Sequence, residues 1–128
     1  MIVSVAPDFF AAPAGGVFSD PWLLQLALAT ASIETPIFWL CGYRRAAECL
    51  WFFVVNLVSN LLLNEFIAET PGTFPYPAAV LLGEIFVVAL EFALCGYVVR
   101  ENGGVRLLRV LLLTNVASFL AGVGYFIL

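Results

Sequence analysis

The sequence predicts an all-α polytopic membrane protein whose four transmembrane helices form two hairpins. Three observations carry that expectation: a surplus of apolar residues, their division into four long runs, and the confinement of every basic residue to the turns after the first and third runs and the start of the fourth. Of 128 residues, 63% are hydrophobic and 11% charged, with a mean hydropathy of +1.06. Soluble domains carry about 45–50% apolar and about 25% charged residues, so a water-soluble fold of this length has no interior for the excess. Four spans of about 20 residues each use most of the chain.

Residues 1–20 mix Phe9, Phe10 and Phe18 with Pro7, Pro13, Gly15 and Gly16, too interrupted for a span but apolar enough for an interfacial or irregular N-terminal arm. No basic n-region precedes the apolar run from Met1 to Ala6, which Pro7 breaks, so no signal cleavage is expected. The four-helix transmembrane domain occupies 21–128. Span one runs from Pro21 to Tyr43, charged only at Glu34 and bounded by Trp22 and Tyr43 as interfacial aromatics. Span two runs from about Ala46 to Ala68, with Glu48 and Glu65 near its ends. The 16 residues between them cover only about 24 Å of helix, so at least one of these carboxylates lies at the headgroup boundary. The Pro/Gly-rich stretch from Ala68 to Pro77 cannot continue a helix. Span three then runs from about Tyr76 to Val99, and span four follows the turn at 100–104 to Leu128.

There is no Lys and no His, and the basic residues are Arg44, Arg45, Arg100, Arg106 and Arg109. All five follow spans one and three, while Glu65 and Glu69 flank the turn after span two. The positive-inside rule therefore places the arginines in the cytoplasm and both termini outside. No basic patch with interleaved aromatics exists, so no nucleic-acid partner is expected. Cys41, Cys49 and Cys95 make neither an even set nor a Cys-x-x-Cys pair and read as reduced packing thiols. No cofactor is expected. Glu48, four residues after Arg44, fits an interfacial ion pair.

Leu40-Cys41-Gly42-Tyr43 recurs as Leu94-Cys95-Gly96-Tyr97, and Asn56-x-x-Ser59 recurs as Asn115-x-x-Ser118. The copies share membrane orientation, which suggests a parallel internal repeat about an axis along the membrane normal. Cys41 to Asn56 is 15 residues and Cys95 to Asn115 is 20, a difference that a longer second inner loop absorbs. Chance similarity between spans of restricted composition is the competing explanation.

Glu34 lies mid-span in the first run, and Glu84 and Glu91 lie in the outer and inner halves of the third. A central carboxylate costs about 2.5–3.5 kcal/mol to insert, so three cost on the order of 8–10 kcal/mol before compensation. They are expected to face protein or trapped water. Thr30, Glu34, Ile37 and Cys41 fall on one helical stripe, and Glu84, Val88, Glu91 and Cys95 repeat its steps. Span two adds Asn56, Asn60 and Asn64 with Ser59, and span four adds Asn115, Ser118 and Gly122. The simplest explanation for the asparagines and serines is interhelical hydrogen bonding. A carboxyl group is a costly way to make a contact that Gln makes neutrally. Lacking a cationic partner, each glutamate is either protonated or balanced by a bound cation, which points to a proton- or cation-binding site formed by Glu34, Glu84, Glu91, Asn56, Asn60 and Asn115. Carboxylate, amide and hydroxyl oxygens suit hard cations or a proton rather than zinc or copper. Pro36 adds an expected free carbonyl at Ser32, one turn from the Glu34 carboxyl.

Glu34-Thr-Pro36, Asn56-Leu-Val-Ser-Asn60, Glu84 with Glu91, and Asn115-Val-Ala-Ser118 together resemble uncharacterised small bacterial four-span membrane proteins, over about Thr30 to Gly122. That resemblance implies residence in the bacterial inner membrane and no particular substrate. The chain is also similar in size to small multidrug transporters, with Glu34 matching their first-span glutamate; Glu84 and Glu91 depart from that pattern. Three functions are consistent with the sequence: a proton- or cation-linked transporter acting as a homo-oligomer, an accessory or assembly subunit of a larger membrane complex, and an intramembrane enzyme. Without His, Ser-His, Cys-His and His-ligated metal chemistry are excluded. Transport is preferred because three intramembrane glutamates exceed what assembly requires.

Overall fold

The computed structural model describes residues 21–69, 76–99 and 104–127, so the expected N-terminal arm, the turn at 70–75 and Arg100 lie outside the described residues. Four helices follow in order: α1 Pro21–Leu40, α2 Ala46–Glu69, α3 Tyr76–Cys95 and α4 Val105–Ile127. All four are long and apolar enough to cross a membrane. At 1.5 Å per residue, 20 residues match a hydrocarbon core about 30 Å thick.

Each helix packs on its neighbour in sequence and α4 closes back onto α1, giving an up-down-up-down bundle with α1 opposite α3 and α2 opposite α4. Local signals fix the helix ends. Pro21 opens α1, where its missing N–H costs nothing. Gly42 closes it with φ 109°, a left-handed conformation that side chains resist, so α1 stops at Leu40 rather than at the expected Tyr43. The third span is likewise shorter than expected, ending at Cys95 and passing into a turn.

Burial is inverted relative to a soluble bundle. Glu34, Asn56, Ser59, Glu91 and Ser118 are fully buried, whereas Leu40, Leu50 and Leu81 are 65%, 66% and 63% exposed. Aliphatic side chains facing outward gain nothing in water but match lipid tails, and polar groups turned inward find partners that lipid lacks. At the arginine-bearing end the interior is apolar. Phe38 stacks on Tyr43 and on Phe52 with ring centroids 4.4 and 4.1 Å apart. Cys95, Val99, Leu107, Val110 and Leu111 pack around this stack. Toward the other end, Gly83 of α3 brings its backbone against Leu63 of α2; a Cβ there would sit 2.1 Å from Leu63 Cδ1.

Candidate functional site

The centre of the bundle is a hydrogen-bonded cluster to which every helix contributes. Glu34 comes from α1, Asn56 and Ser59 from α2, Glu91 from α3, and Asn115 and Ser118 from α4. The Asn56 amide nitrogen donates to Glu34 Oε2 at 2.5 Å and to Glu91 Oε1 at 3.1 Å, so one side chain bridges the two carboxyl groups. Ser59 Oγ lies 3.1 Å from Glu91 Oε1, and Asn115 Nδ2 donates to Glu91 Oε2 at 2.8 Å. Ser118 Oγ donates to Glu34 Oε1. Among the described residues no arginine hydrogen-bonds to this cluster; Arg44, Arg45, Arg106 and Arg109 lie in the α1–α2 turn and the first turns of α4.

The two serines have a property that bears on proton handling. Ser59 Oγ is 3.1 Å from the Asn56 carbonyl as well as from Glu91, and Ser118 Oγ is 3.0 Å from the Asn115 carbonyl as well as close to Glu34. A hydroxyl has one proton to donate. Facing an ionised carboxylate, it donates to that group. Facing a protonated carboxyl, it accepts from that group and donates to its own backbone carbonyl. The serine–carboxyl bond is kept in both states without moving a heavy atom, and the bond to the backbone carbonyl is made only in the protonated one.

The two Asn-x-x-Ser copies make matching hydrogen bonds. Asn56 donates to the glutamate of its own hairpin and Ser59 to that of the opposite one; Asn115 and Ser118 do the same. Leu-Cys-Gly-Tyr does not behave as equivalent copies. Tyr43 is buried and Tyr97 is 88% exposed, and only Gly42 has a positive φ.

Of the expected site residues, Glu34, Glu91, Asn56 and Asn115 come into direct contact. Asn60 joins through Asn56, donating to its carbonyl oxygens at 2.9 and 3.1 Å. Glu84 lies two turns from Glu91, half-buried and outside the hydrogen-bonded cluster. It shares the non-arginine half of the bundle with Asn60, Asn64 and Thr30, which extend the polar interior along α2 and α1. The Oδ1 atoms of Asn64 and Asn115 are buried without a hydrogen-bond partner. Ser59 and Ser118, which are not among the expected site residues, join the hydrogen-bonded cluster, and the Asn-x-x-Ser spacing is their signal in the sequence.

Two expectations are corrected. Pro36 and Ser32 face outward, on the side of α1 away from buried Glu34, so the carbonyl freed by Pro36 does not line the site. Thr35 Oγ1 donates to the Ala31 carbonyl at 2.7 Å, bonding back along the same stretch. Glu48 meets Arg45 at 3.9 Å rather than Arg44, because Arg44 stacks over Trp39 at 5.0 Å. The cysteines are free thiols, with Cys49 Sγ donating to the Tyr43 carbonyl at 3.0 Å and Cys95 buried in the apolar end. No grouping of three or more Cys, Asp or Glu suited to a metal occurs among the described residues.

Comparison with protein-family models, curated proteins and solved structures gives no match.

Proposed function

We propose that the chain is a small proton- or cation-linked transporter whose working groups are Glu34 and Glu91. One observation carries this reading: two fully buried carboxyl groups from opposite helices share a single amide donor, with no cationic side chain from the described residues in the cluster. Two uncompensated charges at that spacing are untenable in a low-dielectric interior, so the pair holds a proton or a small cation. Negative charge is better accommodated on Glu91, which receives three donors, than on Glu34, which receives two. Glu34 is accordingly the group whose proton or cation comes and goes. Polar Asn60, Asn64 and Thr30 lead from the pair toward the end opposite the arginines, and the Phe38–Phe52–Tyr43 stack closes the other end. In the proposed inner-membrane orientation, with both termini outside, access is from the external face.

The accessory-subunit reading draws on a different observation. Ser32 faces outward near mid-span beside Pro36, where a helix of a second copy or of a larger complex supplies a donor that lipid does not.

The test is flux in liposomes under an imposed proton or monovalent-cation gradient, with empty liposomes as baseline. The parent should exceed the baseline, Glu34→Gln should return to it while remaining folded, and Glu34→Asp should retain part of the activity. Parent flux at baseline, or Glu34→Gln flux equal to the parent's, overturns transport and favours the accessory-subunit reading.

A further inference from the structure

A second site, built from different residues, lies at the arginine-bearing end. The α1–α2 turn and the start of α4 border an open pocket of about 390 Å³, lined chiefly by Gly42, Tyr43, Arg44, Arg45, Glu48 and Arg106. Two of its cations, Arg106 and Arg44, are held in place by the fold. Arg106 Nη2 donates to the Cys41 carbonyl at 2.9 Å, and its guanidinium lies 4.9 Å over the Tyr43 ring. That ring is itself fixed on Phe38. Gly42 makes this placement possible twice over: its φ of 109° turns the chain, and a Cβ there would lie 2.3 Å from Arg106 Nη2. Stacking of Arg44 on Trp39 orients a second guanidinium without consuming any of its five donors.

Among the described lining residues, three guanidinium groups stand against the carboxylate of Glu48, an excess of positive charge. Planar guanidinium forks match the oxygens of a phosphate, and stacked arginines lose little freedom on engaging one. The pocket sits where the apolar helices end, the depth at which phosphates lie in a bilayer. Trp39, Leu40 and Leu50 are exposed on the neighbouring helix surfaces and suit acyl chains. We propose that this pocket binds an anionic phosphate group, carried by the headgroup of an acidic phospholipid or free in solution. The proposal uses none of the residues of the glutamate cluster and stands or falls apart from it.

The experiment takes the full chain in detergent and titrates it with phosphatidylglycerol, phosphatidylcholine or inorganic phosphate, reading bound lipid by native mass spectrometry and stabilisation by thermal melting. Phosphatidylglycerol should be retained with about tenfold preference over phosphatidylcholine, whose choline the arginines repel. Arg44→Gln and Arg106→Gln should each weaken it about tenfold. Arg106 also caps the α1 turn, so Arg44→Gln, which leaves the Cys41 bond untouched, decides the matter if Arg106→Gln does not fold. Arg109→Gln, outside the pocket, should change binding by less than about twofold. Displacement of the lipid by millimolar inorganic phosphate assigns the site to free phosphate, and phosphatidylglycerol binding that inorganic phosphate does not displace assigns it to the headgroup. Arg44→Gln binding like the parent, or Arg109→Gln weakening binding as much as Arg44→Gln, overturns the proposal, as does failure of both ligands to bind.

Discussion

Replacing Asn56 by Leu removes the bridge between the two carboxyl groups while keeping side-chain volume nearly constant, so the change is electrostatic rather than a cavity. The amide gives up two donated bonds, at 2.5 Å to Glu34 and 3.1 Å to Glu91. Intramembrane hydrogen bonds average about 0.6 kcal/mol with a maximum near 1.7, so the pair contributes about 1–3.5 kcal/mol. A further cost falls unequally. Glu91 Oε1 keeps Ser59 as donor, whereas Glu34 Oε2 loses the only donor described for it, and an orphaned buried acceptor costs about 1–3 kcal/mol. Asn56→Leu should therefore destabilise the bundle by about 2–6 kcal/mol. The sharper test is a double-mutant cycle with Glu34→Leu. With the carboxyl already gone, Asn56→Leu orphans nothing on α1, so the double variant should be more stable than the sum of the singles predicts by about 1–3 kcal/mol. Reversible unfolding in mixed micelles measures all four corners. Additivity within about 0.5 kcal/mol would mean that the two side chains do not interact, and the bridged pair would have to be abandoned.

Asn64 tests the opposite case, because its buried Oδ1 has no hydrogen-bond partner: Asn64→Leu should be neutral or stabilising by up to about 2 kcal/mol in the same assay. A clear loss of stability would mean that this amide holds a water or an ion. Orientation is checked with reporter fusions after residues 102 and 128, which should give opposite signals, the second on the external side; matching signals would reject the proposed topology.

The sequence was most legible where one helix's own periodicity decides the outcome. Glu34 facing inward and Leu50 facing outward follow from helical spacing once the surrounding medium is known to be lipid. The asparagine series of α2 could be placed on one face for the same reason. What periodicity cannot supply is the axial offset between helices. Aligning the two Leu-Cys-Gly-Tyr copies pairs Glu34 with Val88 and Ile37 with Glu91. The bundle instead sets Glu34 against Glu91, about one turn out of that register, and follows the Asn-x-x-Ser copies. Glu84, on the same stripe as Glu91, was left outside the cluster by that offset. The Arg44–Glu48 pair failed for a related reason. Spacing of four permits an ion pair, but Trp39 offers Arg44 an aromatic face from the preceding helix end, a contact across the turn that no rule internal to α2 registers.

The geometry of the pair also bounds what it can drive. Glu34 Oε2 and Glu91 Oε1 both bond one amide nitrogen, so they can lie no farther apart than the two bonds laid end to end; at an effective dielectric of about 20, two negative charges about 5 Å apart repel by about 3 kcal/mol. The serine hydroxyls absorb a change of protonation by rotating, so hydrogen bonding itself exerts little force on the helices. Charge repulsion is the term left to act. About 3 kcal/mol shifts a two-state equilibrium by a factor of about 150, enough to move a minor conformation into the majority but too little to separate helices held by the full apolar stack at the arginine end. A conformational change powered by this pair must therefore be one in which Glu34 and Glu91 part while most of that packing persists. A shift of α1 relative to α3 that slides Phe38 along Phe52 and Tyr43, whose rings lie nearly parallel at 3° and 11°, meets that requirement, because parallel rings keep contact over a short translation where interlocked side chains would not.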